Sequence, residues 1–81
     1  MRRSAVSISS NIAEGSSKKT GKEKARYTTM AFGSLMELLS QIEICKELQY
    51  VTENESIALR DLVDEIAVKS TRLREAQLKM A

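Results

Sequence analysis

No proline interrupts the chain, and glycine does so only at positions 15, 21 and 33. Proline costs a helix interior about 3 kcal/mol relative to alanine and glycine about 1 kcal/mol. An 81-residue chain that nearly avoids both is free to run in long helices, and with 4 % aromatic residues it is poor in strand formers. The apolar residues recur to match. Thr28, Ala31, Leu35, Leu38, Ile42 and Cys45 alternate at spacings of three and four, which places them on one side of a helix. Phe32, Met36 and Leu39 widen that side beyond a two-stranded seam, as the helices of a bundle require. Thr20 and Glu23 supply a capping box at its start, so a helix is predicted over 21–48, about 42 Å long.

A second capping box, Thr52 with Glu55, opens a helix over 53–79. Its seam reads Leu59, Leu62, Ile66, Lys69, Leu73, Ala76 and Met80, broadened by Val63 and Ala67. Lys69 interrupts that seam. Either its stem packs while its ammonium reaches water, or it pairs with a carboxylate of a neighbouring helix or subunit. A shorter helix over 3–14 precedes both and ends at Gly15, a residue suited to the left-handed C′ position. Gly33 falls inside the second helix, most simply as a notch for close helix approach, with a hinge as the alternative. The expected fold is all-α: three helices in an antiparallel up-down bundle, one domain spanning 1–81. A chain this short buries little core, so oligomeric assembly is expected to help hold it.

The stretch SAVSISSNIAEG, residues 4–15, departs from an ordinary surface helix. Met1, Ala5, Ile8 and Ile12 line one side, while Arg3, Ser4, Ser7, Ser10, Asn11 and Glu14 share the other. Short hydroxyl and amide groups let a second surface come close and still offer it hydrogen bonds, so this polar side reads as an interface.

Composition excludes much chemistry. There is no histidine, so imidazole catalysis and histidine-ligated zinc are absent, and the lone Cys45 makes neither an internal disulfide nor a CxxC site. Its place in the apolar seam makes it a buried thiol. The three glycines match no nucleotide-binding fingerprint. No enzyme activity, cofactor or metal is expected. No apolar run approaches the roughly 20 residues that span a bilayer, and no secretory-type segment follows the N-terminal arginines, so no membrane partner is expected and the cytoplasm is the expected address. Charge is uneven beneath a net +2. Residues 1–26 carry seven basic and two acidic side chains, net +5, whereas 27–81 carry net −3. Lys18, Lys19, Lys22 and Lys24, with Arg2, are candidate phosphate contacts for RNA or DNA, and the alternative is a merely solvated loop. Tyr27 is the one aromatic residue near them, which gives weak support for base stacking.

RRSAVSISSNIAEGSS followed by KEKARYTTMAFGSLMELLSQIEICKELQYVT resembles the four-helix bundle family of 23S rRNA intervening-sequence proteins. That family's signature runs close to R-R-A-x-S-I-P-S-N-I-A-E-G, then R-[FY]-x-x-x-A-x-G-S-L-x-E-L. The chain matches at Arg2, Arg3, Ser7, Ile8 and Ser10 to Gly15, and again at Arg26, Tyr27, Ala31, Gly33, Ser34, Leu35, Glu37 and Leu38. The resemblance covers roughly 2–52, with the last helix agreeing only in amphipathic character. Ser9 stands where the family usually has proline, which softens any kink. Relatives usually carry a further helix before the Arg-Arg pair, so the chain reads as an N-terminally shortened member, a three-helix remnant with a groove to be covered.

The resemblance implies a non-enzymatic helical protein that assembles with itself, a ring-shaped homopentamer being favoured and a dimer the alternative. It implies RNA or DNA binding at a basic surface. A structural or protein-partner module is the other reading, such as the accessory proteins of reverse transcriptases in diversity-generating retroelements. It also implies a polar network of Arg3, Ser7, Asn11, Glu14, Arg26, Ser34 and Glu37, with Gln41 beside them and an arginine paired to Glu14 or Glu37.

Overall fold

The computed structural model describes residues 1–80. It is all-α, with α1 over Arg2–Ser16, α2 over Gly21–Glu47 and α3 over Glu53–Leu78, and no strand among the described residues. Both α1 and α3 pack on α2 and make no such contact with each other. Ser4 meets Gln41 near the far end of α2, whereas Gly15 lies against Tyr27 near its start, so α1 and α2 run in opposite directions. Thr28 likewise meets Gln77, which makes α2 and α3 antiparallel.

The helix ends follow local chemistry. Thr52 Oγ1 accepts from the Glu55 amide at 3.1 Å while Glu55 Oε1 accepts from the Thr52 amide at 2.9 Å, a complete capping box. At Thr20 only one arm forms: its hydroxyl accepts from the Glu23 amide at 3.2 Å. The α2 C-terminus closes as a Schellman motif. The Tyr50 amide donates to Cys45 and the Gln49 amide to Lys46, with Gln49 at φ 63° in the left-handed region. Gly15 takes no such conformation. The first helix continues through it to Ser16, and its place is explained by packing, since a Cβ there would lie 2.9 Å from Tyr27 Cβ. Gly33 is not a notch either: nothing lies within 4 Å of the Cβ it lacks. Ser9 donates back to the Ala5 carbonyl at 3.3 Å and α1 runs through it unbroken.

Part of the serine side of α1, Ser4, Ser7 and Asn11, packs on α2 together with Ile8 and Gly15, while Arg3, Ser10 and Glu14 of that side are exposed. Ser4 is 2 % exposed and donates to Gln41 Oε1 at 3.1 Å. The Ser7 and Ser34 hydroxyls lie 2.7 Å apart, and Asn11 Nδ2 donates to the Ser7 carbonyl at 2.8 Å. Short side chains set the helices close, and each buried hydroxyl keeps a partner. Cys45 is only half-buried, its thiol 3.6 Å from the Met1 sulfur.

Leu35, Ile42 and Val63 form the core, flanked by Ile8, Met36, Leu38, Leu39, Leu59, Ile66 and Ala67. The face of α3 that meets α2 runs Ser56, Leu59, Val63, Ile66, Ser70 and Gln77. This corrects the expected seam: Leu59 and Ile66 are shared, but Leu62, Lys69 and Ala76 give way to Val63, Ser70 and Gln77, one residue further on. Lys69 reaches its own helix, 3.0 Å from Glu65 Oε1. Leu62 and Leu73 instead stand about half exposed, whereas Met80, just past α3, keeps its Cβ against Gly21 at the start of α2. Across α2, Arg60 Nε lies 3.0 Å from Glu43 Oε1 and supplies that shielded oxygen with a charge partner.

The result is long and thin, 47 × 20 × 13 Å, with a radius of gyration of 14.1 Å. A compact chain of this length has a radius near 12 Å. Its accessible surface, 5850 Å², also exceeds the roughly 4,900 Å² typical of a folded monomer of this mass.

Candidate nucleic-acid interface

The end of the molecule where α1 stops and α2 starts gathers the loop lysines. Lys18 Nζ lies 3.4 Å from Glu14 Oε1 and 5.1 Å from the centre of the Tyr27 ring. Tyr27, and then Glu14, hold the Lys18 ammonium above its ordinary pKa. Lys24 Nζ donates to the Ser16 carbonyl at 3.2 Å, so its charge sits on the negative end of α1. Both are half-buried and held. Lys19 and Lys22 are exposed and form no ion pair among the described residues, which leaves them free to meet phosphate. Arg2 lies apart from them, at the other end of α1 and about 20 Å away along its axis.

Three basic residues missed in the sequence join this end. Because α3 returns antiparallel to α2, its last turns place Arg74 at Thr29, Arg72 in the wall that Phe32 shares, and Lys79 just past Gln77, on the half of α2 that starts at the lysine loop. Arg74 Nε donates to Thr29 Oγ1 at 2.9 Å, tying it to α2. Residues 14–26 and 72–79 together carry eight basic and three acidic side chains, net +5. The opposite end, residues 1–3 and 43–64, carries four basic and six acidic, net −2. Two helices of nearly equal length joined by a short turn are the signal for this. The charge of 27–81 divides between two ends, and averaging along the chain hides it.

The polar set divides. Ser7, Asn11 and Ser34 are brought together, with Ser4 and Gln41 a turn further along. Arg3, Arg26 and Glu37 are exposed and outside that group. The expected arginine pairing to Glu14 or Glu37 does not occur: Glu14 pairs with Lys18, and no ion pair among the described residues involves Glu37. The reason is angular. Arg26 and Glu37 project from the side of α2 that faces neither α1 nor α3, where water satisfies both.

No helix among the described residues is long and apolar enough to cross a membrane. No curated protein matches the sequence. The family model described as 23S rRNA-intervening sequence protein matches residues 1–72, which extends the likeness well into α3. With nearly nine-tenths of its length matched, from before the Arg-Arg pair to Arg72 in α3, the chain belongs to the 23S rRNA-intervening sequence protein family.

Proposed function

We propose that this is a non-enzymatic, self-assembling helical protein that binds the backbone of RNA or DNA through its basic end. The net +5 of residues 14–26 and 72–79, against net −2 at the opposite end, is the observation that carries the reading. Flexible ammonium groups on a loop follow a phosphate backbone without reading base edges, so binding is sequence-tolerant. One protomer offers too few contacts for tight binding at physiological salt. Assembly repeats the patch, and linked weak sites gain by effective concentration.

Assembly has its own support. Met1 just before α1, Ile12 in it, Leu62 and Leu73 in α3 and Met80 just past it stand about half exposed, and Ile12, Leu73 and Met80 line one groove between those helices. A second copy covering this groove completes a four-helix layer. The family likeness favours a ring-shaped pentamer, and a dimer filling the groove by exchange is the alternative.

Salt-titrated binding to a structured RNA tests the function. Lys19→Ala with Lys22→Ala weakens binding similarly across sequences and reduces the slope of log K against log salt by about 1 to 2. Adding Lys18→Ala changes little more, because that ammonium is committed to Glu14 and Tyr27. No binding by the wild type at about 50 mM salt, or equal binding by the double variant, overturns the proposal in favour of a protein-partner module.

A further inference from the structure

The seam between α2 and α3 holds two adjoining hollows. One, about 230 Å³, is walled by Thr28, Thr29, Phe32, Ser70, Thr71 and Arg74. The other, about 410 Å³, shares Phe32 and Thr71 and adds Val68, Arg72 and Glu75 among its walls. Phe32 is the chain's one phenylalanine, half-buried and flanked by two arginines. Tyr27 differs, since the Lys18 ammonium already lies over its ring.

We infer that this seam seats an unpaired nucleobase against the Phe32 ring, with the adjacent phosphate on the guanidinium of Arg74. The inference rests on the nucleic-acid reading above and narrows it to single strands. Arg74 spends its Nε–H on Thr29, which orients the fork and leaves the terminal N–H groups for an anion. The threonine hydroxyls of the wall are already committed: Thr28 donates to Gln77 Oε1, Thr29 to the Ala25 carbonyl and Thr71 to the Ala67 carbonyl. Their methyls and the aromatic ring therefore offer a base a stacking surface, and because every base has a π-face the site is sequence-tolerant. Glu75 repels phosphate from the second hollow, which sets the strand's phosphate on the Arg74 side. A duplex keeps its bases stacked inside and cannot use the ring.

Binding of a short uridine oligomer and of a perfectly paired RNA hairpin to Phe32→Leu tests this, with circular dichroism to verify helix content. The variant loses about 5- to 100-fold in affinity for the single strand and keeps its affinity for the hairpin. An oligomer carrying 2-aminopurine gives a second readout that needs no variant: its fluorescence falls when wild-type protein binds. Unchanged single-strand affinity in Phe32→Leu, or no fluorescence change on wild-type binding, overturns the stacking site while leaving backbone binding intact. Failure of the wild type to bind either RNA at about 50 mM salt overturns the functional reading itself.

Discussion

Gly21 lies so close to Gln77 that a Cβ on the glycine would run into the Gln77 carbonyl oxygen. The start of α2 and the end of α3 meet backbone to backbone there. That contact holds the last turns of α3, with Arg72 and Arg74, against the first half of α2.

Gly21→Ala therefore forces the helix ends apart and destabilises the protein by about 1 to 3 kcal/mol, in the range of overpacked sites. Gly33→Ala does the reverse. It meets open space, so improved helix propensity stabilises the protomer by about 0.5 to 1 kcal/mol. Urea denaturation of the two variants measures both signs. The same Gly21 variant lowers RNA affinity, because the displaced end of α3 carries the arginines.

Gln49 is the described non-glycine residue with positive φ, at 63°. It occupies the C′ position of the Schellman turn, where a side chain is strained and glycine is not. Gln49→Gly raises stability by about 0.5 to 1 kcal/mol, read as a higher midpoint of thermal unfolding.

The Glu55 carboxylate accepts the Thr52 amide proton, and this bond holds its pKa below the usual glutamate value. The folded state therefore favours the ionised form. Its contribution is present above the unfolded pKa near 4.5 and is lost as pH falls through the lower folded value. Amide exchange over the first turn of α3 accelerates on acidification through that window. Glu55→Gln keeps a capping side chain but removes the proton, so its first turn shows no such acid step.

Much of this fold was legible in spacing alone. The 3–4 alternation of Thr28, Ala31, Leu35, Leu38 and Ile42 is the α2 face that packs, and Thr52 with Glu55 marks the start of α3. The serine side of α1 announced its interface because short polar residues have no other reason to replace charged ones there. Along α3 the strongest hydrophobic stripe misled. Leu62 and Leu73 outrank Ser56, Ser70 and Gln77 in hydrophobicity, yet the smaller and polar set packs on α2 because Gly21 and Thr28 require close approach and a hydrogen-bond partner. Gly15 read as a helix end because glycine serves turns as well as close contacts, and sequence does not separate the two. The arginines of α3 were hidden for a different reason: their neighbours lie some fifty residues away in sequence, as Thr28 and Gln77 do.

Self-assembly is the claim on which the multivalent binding depends, and light scattering tests it most directly. The protomer has a mass of 9.1 kDa. Across micromolar concentrations the account predicts a closed assembly, about 45 kDa for a pentamer or about 18 kDa for a dimer, that dissociates when Leu62 and Leu73 are replaced by serine. A single species of 9.1 kDa over that whole range would contradict it.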